Sequence, residues 1–164
     1  ANFSSMLHPD VVLIGEKTPN SYTHSQELLF FIRHAEQHSV ADITTVEFSR
    51  ASLMTMLATR ISFMNEMARL ADSMGVDIQR VQQMMGLDKR IGKDFLAAGW
   101  GFGGRALPAE LKGLIDTFTD NQVSNVLVEA VQVINEDQKE LIFRKFWRHF
   151  DGFIDGKTDR KSVV

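Results

Sequence analysis

The sequence contains no cysteine, and this absence removes several kinds of chemistry at once. A chain without thiols cannot form disulfides, bind a metal through thiolates or use a thiol nucleophile. Proline is scarce as well, with three residues among 164, so long uninterrupted helices are allowed. The chemistry of this protein therefore has to come from other side chains or from its backbone.

Long apolar runs and a strong excess of one charge are missing too. No apolar segment approaches the roughly 20 residues of a membrane-spanning helix, and no signal-peptide pattern opens the chain. The formal net charge is -3. A local basic stretch, interleaved with Phe143, Phe146 and Trp147, is typical of a helix with one buried and one solvated face; it contains Lys139, Arg144, Lys145 and Arg148. We predict a cytoplasmic protein with no nucleic-acid partner and no membrane partner.

The remaining pattern predicts a mainly α fold. The run Val11–Ile14 ends at Gly15 and is typical of a strand, although no pairing partner is evident nearby. Helices are predicted at about 25–37, about 44–74, from Asp77 to near Gly86, and from about 123 to 150, with a further helix opened by Pro108. The inner stripe predicted for the last helix is Val123, Leu127, Ala130, Ile134 and Leu141.

The helix at 44–74 carries two apolar stripes at helical spacing. The first contains Leu53, Leu57, Ile61, Met64 and Ala68, and the second contains Met56, Phe63, Met67, Leu70 and Met74. A helix that is apolar on two faces has to be covered on two sides. In a domain of this size the second cover is expected to be another subunit, so we predict a homodimer through this helix.

Two segments carry most of the information on function. The first is ATRISFMNE at 58–66, and the second is DKRIG at 88–92 followed by FLAAGWGFGG at 95–104. Weaker matches are HPD at 8–10, NEDQK at 135–139, and the stretch from Phe150 to Lys157. Any one of these pieces is weak evidence, but their order and joint spacing are specific. Together they resemble the central domain of the UDP-glucose/GDP-mannose dehydrogenase family.

The resemblance implies a place within a larger enzyme. Family members oxidise the C6 hydroxymethyl group of a nucleotide sugar to a carboxylate with two NAD molecules in succession. An N-terminal Rossmann-type domain holds NAD, a C-terminal one helps to bind the nucleotide, and the central helices join two subunits. We therefore expect a tail of the NAD-binding region at 1–20, the central helical domain at 21–152, and a cut-off start of the C-terminal domain at 153–164. NAD is expected to bind outside this chain.

The catalytic positions of the family are substituted here. They are occupied by Glu47, Arg50, Met54, Ala106, Ala109 and Glu110. The family nucleophile is a cysteine whose thiolate traps the aldehyde, and Ala106 stands in its place. Arg50 replaces a lysine and cannot act as a base, while Met54 replaces an asparagine and lacks its amide. Glu47 is retained, yet we expect this set to abolish the second oxidation and the first as well.

The residues implied in substrate binding are better preserved. They are Arg90, Phe95, Leu96, Gly99, Gly101, Phe102, Gly103, Gly104 and Arg105. The bare backbone of 99–104 and the Phe102 ring could approach a UDP- or GDP-linked sugar, or the glycines could only form a tight turn. Arg90 matches a family arginine that reaches across the dimer, or it forms an ion pair with Asp88 or Asp94. Arg105 could hold a phosphate or fill the emptied pocket.

Other polar residues are interpreted as structural. Asn65 and Glu66 are predicted to cap or bridge neighbouring helices. His34 and His38 are four residues apart, a spacing that would place both on one face of a helix, but no HExxH pattern surrounds them. We predict that this pair lies on a solvated face, and that the chain binds no metal.

Three functions remain open at this point. The first is a binding and dimerisation module that has lost catalysis and serves polysaccharide synthesis as a regulator or scaffold. The second is an active NAD-dependent oxidoreductase with a rearranged site, in which Glu110 or Glu47 would be the base. The third is a purely structural dimerisation domain without a ligand.

Overall fold

The structure, a computed structural model, describes residues 9–25 and 37–153. The chain divides into two compact units, the first ending at Ser52 and the second beginning at Leu53. The described residues are mainly helical, as the sequence predicted. The domain limits expected at 20/21 and 152/153 stay predictions, and most of the expected C-terminal stub, residues 154–164, lies outside the described part.

A two-stranded parallel sheet belongs to the first unit. Strand β1 (Val11–Glu16) is followed by the short helix α1 (Ser21–Ser25), and β1 pairs with β2 (Gln37–Asp42) so that Val11 lies opposite Gln37. The expectations that β1 has no partner nearby and that a helix extends to Gln37 are therefore wrong. The sequence QHSVAD of β2 contains few apolar residues, so its pattern gave no strand signal. Residues 26–36 of the predicted helix lie outside the described part.

Helix α2 (Ile43–Met74) is the long helix predicted at 44–74, and the prediction is confirmed. At its start the Asp42 carboxylate accepts a hydrogen bond of 2.9 Å from the Thr45 N–H. It ends where Gly75 adopts a φ of 68°, which lets the Val76 N–H donate to the Ala71 carbonyl at 2.9 Å. This is the left-handed glycine ending that the position of Gly75 predicted.

Three further helices complete the second unit. They are α3 (Ile78–Met85), α4 (Ala106–Asp120) and α5 (Val126–His149). Asp77 caps α3 as predicted, and Pro108 lies in the first turn of α4. The last helix begins later than the predicted residue 123, because Val123 donates its N–H to Phe118 and so closes α4 instead.

The core of the second unit forms where α2 meets α5. The buried residues of α2 are Thr55, Ala58, Ser62, Met64, Asn65 and Ala71. The buried residues of α5, among the described side chains, are Val128, Val131, Asn135 and Gln138. The two helices meet at Ser62, whose hydroxyl donates a hydrogen bond of 3.0 Å to the Val131 carbonyl. The inner stripe predicted for α5 is wrong in part, since Val123, Leu127 and Ala130 are exposed and only Ile134 and Leu141 are half-buried. A pattern built only on apolar residues missed the two amides that point inward.

The second apolar stripe of α2 is largely uncovered. Met56, Phe63, Leu70 and Met74 are exposed by 45% to 66%, whereas Met67 is half-buried. Leu53, which the sequence assigned to the first stripe, is also exposed. We call the four exposed residues the outer stripe of α2. Among the described helices none is long and apolar enough to cross a membrane.

Candidate functional site

The glycine-rich loop 99–104 lies between the irregular segment 87–98 and α4. Gly101 has a φ of 93° and Gly104 a φ of 74°, both in the left-handed region that favours glycine. A Cβ atom on Gly101 would lie 2.6 Å from Oδ1 of Asn135, closer than such contacts occur. Glycine is therefore needed at 101 both for backbone conformation and for the approach of Asn135.

Three buried side-chain amides hold this loop. Asn65 on α2 accepts a hydrogen bond of 2.7 Å from the Gly99 N–H, and Gln138 on α5 donates to the Gly99 carbonyl at 2.7 Å. Asn135 accepts from the Phe102 N–H at 2.7 Å and donates to the Phe102 carbonyl at 3.0 Å. The N–H and the C=O group of both Gly99 and Phe102 are thus hydrogen-bonded to side chains. We call Asn65, Asn135 and Gln138 the amide clamp.

A charged group supports the clamp. Arg69 on α2 donates from Nε to Oε1 of Gln138 at 3.0 Å and from a terminal nitrogen to the Ile134 carbonyl at 3.2 Å. It also forms an ion pair with Asp137, and the Asp137 carboxylate binds Arg144 as well. The hydrogen bond from Arg144, together with the positive charge of Arg69, holds the pKa of Asp137 below its usual value of 3.8.

The lowered pKa of Asp137 predicts how stability changes with pH. The ionised carboxylate stabilises the fold above the unfolded-state pKa, and this contribution is lost as pH falls through the lower folded-state pKa. Asp137→Asn should therefore be less stable than the wild type at pH 7, and the difference should shrink below about pH 4. Urea unfolding at pH 7 and at pH 3 measures the difference in free energy of unfolding between the variant and the wild type, with Glu136→Gln as the control. A difference that stays constant down to pH 3 would contradict this.

A small cleft lies beside the loop. Its volume is about 250 Å³, and its lining includes Asn65, Arg69, Gly99, Trp100, Gln138 and Lys145. Lys145 is paired with Asp72 at the same cleft. Two members of the clamp, Asn65 and Gln138, and the supporting Arg69 therefore line a surface depression.

The predicted binding residues differ in how far they reach the surface. Phe102 is 5% exposed and Leu96 is buried as well, whereas Gly99, Gly103, Gly104 and Arg105 are exposed. Phe95 is partly exposed and has a φ of 57°. Within 95–105, the predicted binding residues that reach the surface are thus three glycines, Gly99, Gly103 and Gly104, together with Phe95 and Arg105. That these residues bind a ligand stays a prediction.

Arg90 is engaged within its own chain. Its side chain forms an ion pair of 2.6 Å with Asp88, and its backbone N–H donates to the same carboxylate. These hydrogen bonds lower the pKa of the Asp88 carboxyl, and the side-chain hydrogen bond from Arg90 has the largest effect. The segment is anchored to α2 by Arg60, which donates to the carbonyls of Ile91 at 2.7 Å and Gly92 at 3.3 Å. The ion pair expected as the alternative for Arg90 is therefore present.

The positions expected to carry catalysis fall into both units. Ala106 is the first residue of α4 and is exposed, Ala109 is exposed, and Glu110 is half-buried. Met54 on α2 is half-buried, while Glu47 and Arg50, in the first unit, are exposed. No side chain from Arg105 to Ala109 offers a nucleophile at the start of α4.

The described residues offer neither a cluster of metal ligands nor a dinucleotide-binding turn. No group of three or more potential metal ligands occurs there; His38 lies on strand β2, and His34 lies outside the described part. Dinucleotide folds bind the pyrophosphate where a glycine-rich turn joins a strand to a helix. Here the glycine loop follows an irregular segment after α3, with no strand of the described sheet leading into it. The loop does not fit NAD in that manner.

Sequence reasoning missed most of the clamp. Asn65 was interpreted as a link between helices, yet it binds the loop, and Arg69, Asn135 and Gln138 were given no role at the loop. A signal was present, since Asn135 and Gln138 are three residues apart and share a helix face with Val128 and Val131. Two amides on a buried face need partners, and a glycine-rich loop has free peptide groups to supply them.

Comparison with known proteins gives one consistent result. The model of the UDP-glucose/GDP-mannose dehydrogenase family, central domain, matches residues 44–137. A UDP-glucose 6-dehydrogenase of Pseudomonas aeruginosa is 39% identical over 151 residues, which is 92% of this chain and 33% of that protein. A UDP-glucose 6-dehydrogenase of Rickettsia bellii is 32% identical over 153 residues, covering 93% of this chain and 35% of that protein.

A solved structure gives the same picture. The UDP-glucose dehydrogenase of the hyperthermophilic archaeon Pyrobaculum islandicum superposes with a TM-score of 0.82 at 28% identity, covering 90% of this chain and 34% of that one. The chain thus spans about a third of the length of these relatives.

Proposed function

Because the chain belongs to the UDP-glucose/GDP-mannose dehydrogenase family and matches its central domain, we propose that it presents the loop 99–104 to a nucleotide sugar. In this proposal the chain pairs with a second copy through α2, and it lacks the covalent chemistry of an intact site. The observation that carries this proposal is a contrast. The loop is fixed by the amide clamp, yet Ala106 beside it has no nucleophile.

The charge around the loop supports an anionic ligand. The exposed backbone of Gly103 and Gly104 leads into α4, whose first N–H groups carry partial positive charge. Arg105, at the N-cap, makes no side-chain capping bond there and adds a positive charge. A diphosphate linked to a sugar is a ligand of matching charge and size, and a UDP- or GDP-linked sugar has this chemistry.

The missing groups support the loss of catalysis. Trapping the aldehyde requires a nucleophile near the loop, and an alanine cannot form a covalent bond to the carbonyl carbon. Arg50 can stabilise an oxyanion but cannot act as a base, and Met54 cannot orient a water through an amide. We place NAD binding outside the described residues and expect a cytoplasmic protein that serves polysaccharide synthesis as a regulator or scaffold.

NADH formation by the product of the complete reading frame tests this proposal. With UDP-glucose, GDP-mannose or their N-acetylated relatives, the rate should be on the order of 10⁴-fold or more below that of a working family enzyme, because the nucleophile is missing. The UDP-glucose 6-dehydrogenase of Pseudomonas aeruginosa serves as the parallel control. Ala106→Cys alone should restore little, since Arg50 and Met54 remain. Steady NADH from the wild type would favour a rearranged site with Glu110 or Glu47 as base.

The outer stripe of α2 supports the pairing of two copies. Met56, Phe63, Leu70 and Met74 recur along one face over five turns of helix, where a soluble monomer would carry polar residues. Two such stripes are self-complementary across a two-fold axis, as closed dimers require. A second copy of the same helix therefore covers the stripe without any further partner.

A dimerisation domain without a ligand is the alternative that two observations favour. The Phe102 ring is buried and Arg90 is paired with Asp88, so neither side chain is presented to a ligand in the single chain. Calorimetric titration of the product of the complete reading frame with UDP-glucose separates the two functions. Saturable heat supports the binding role, and its absence with every sugar tested supports the purely structural one.

A further inference from the structure

We propose that Gln138 is a positioning residue of the loop 99–104 and that Arg69 holds it in the working orientation. The inference rests on the proposed binding role of the loop, but it concerns residues outside the positions matched to the family's catalytic and binding sites. Gln138 is 6% exposed, and its amide nitrogen donates a hydrogen bond to the Gly99 carbonyl.

The orientation of the Gln138 amide decides whether this contact exists. An amide has a donating end and an accepting end, and only the NH₂ end can bind a carbonyl oxygen. Arg69 can only donate, so its Nε–H selects Oε1 of Gln138 and turns Nε2 toward Gly99. With the amide reversed, two donors would face each other at Arg69 and two acceptors at Gly99.

Arg69 is itself fixed from several directions. Its bonds to the Ile134 carbonyl and to Asp137 leave the guanidinium little freedom to turn. Arg69 and Asn65 lie one turn apart on α2, the helix whose other face carries the outer stripe. The orientation of Gln138, and through it the position of Gly99, is thus set by the helix that we propose to be the dimer interface.

The variant Gln138→Glu separates positioning from stability. A glutamate has nearly the same shape and keeps an acceptor for Arg69, with an added ionic attraction. It cannot donate to Gly99, however, and places a negatively charged oxygen against the Gly99 carbonyl. We expect the melting temperature of the full 164-residue chain to change by no more than a few degrees, while the loop loosens.

Two readouts report on the loop directly. Hydrogen exchange of the Gly99 and Phe102 amides should accelerate by at least about tenfold, since exchange follows local opening. Trp100, 57% exposed on the loop, should shift its emission in a Trp147→Phe background, in which it is the remaining one of the two tryptophans. Gln132→Glu, an exposed position on the same helix, makes the same charge change and should alter neither readout.

A second variant tests the role of Arg69 and guards against misfolding of the first. Arg69→Lys keeps a positive charge near Asp137 but has no Nε–H for Gln138, so the same two amides should exchange faster. If Gln138→Glu or Arg69→Lys exchanges at these amides like Gln132→Glu, the positioning role is wrong.

Ligand affinity links the loop to function. In the product of the complete reading frame, Gln138→Glu should weaken UDP-glucose binding by at least about tenfold relative to Gln132→Glu. Equal affinity of the two variants would overturn the positioning role. If the wild type binds no UDP-glucose, the proposed function fails, and the exchange measurements still decide whether Gln138 and Arg69 position the loop.

Discussion

Replacing Gly101 by alanine should lower the free energy of unfolding by about 3 kcal/mol or more. An alanine at a φ of 93° costs about 1–2 kcal/mol of backbone strain. The new methyl group would also lie 2.6 Å from Oδ1 of Asn135, which cannot retreat without breaking its bonds to Phe102. Leaving the buried Phe102 peptide unpaired costs about 1–3 kcal/mol more.

The other glycines of the loop provide matched controls. A Cβ on Gly104 meets nothing within 4 Å although the φ is 74°, so Gly104→Ala should cost about 1 kcal/mol from strain alone. A Cβ on Gly99 also meets nothing within 4 Å and no left-handed φ applies, so Gly99→Ala should change stability by less than about 0.5 kcal/mol. Urea unfolding of the three variants measures this order. Equal losses for Gly101→Ala and Gly104→Ala would show that Asn135 does not restrain the loop.

The double variant Phe63→Asp, Leu70→Asp should abolish pairing of two copies at concentrations where the wild type is dimeric. Both residues lie on the outer stripe, and each buried apolar anchor of an interface is worth about 2 kcal/mol. Together they should raise the dissociation constant by about 10³-fold, with charge repulsion across the two-fold axis adding to this. Sedimentation or light scattering over a concentration series gives the mass.

A control variant separates dimer loss from a general effect of added charge. Leu87 is 76% exposed and lies after α3, off the outer stripe, so Leu87→Asp should leave the dimer intact. Circular dichroism should show unchanged helix content in all variants, since the substituted positions are not part of the core. An unchanged dimer mass for the double variant would mean that the interface is elsewhere on the molecule.

The sequence predicted α2 within one residue because the physics there is local. No glycine or proline interrupts residues 43–74, the apolar spacing is helical, and Gly75 supplies the left-handed ending. Helices α3 and α4 were found for similar reasons, through the Asp77 cap and the first-turn Pro108. Local signals of this kind need no knowledge of what packs against the helix.

The parts that sequence reasoning missed depend on distant partners. Strand β2 is recognisable only through its pairing with β1, because QHSVAD has a weak apolar pattern of its own. The buried face of α5 includes Asn135 and Gln138, whose partners lie 33 and 39 residues away in the loop. Polarity alone would place such amides on the surface. Only the hydrogen bonds with Phe102 and Gly99 make their burial favourable.

The separation between the amide clamp and the start of α4 has a consequence for how this protein can change over generations. The side chains that shape the loop are Asn65, Asn135 and Gln138, and none of them stands at a position expected to react. Ala106 is exposed and takes no part in these bonds. A nucleophile there could be lost by one substitution while the fold kept its full stability. Selection that maintains the structure of the loop and selection that maintains the reaction therefore act on different residues. A homologue can keep the loop structure long after it has lost the reaction.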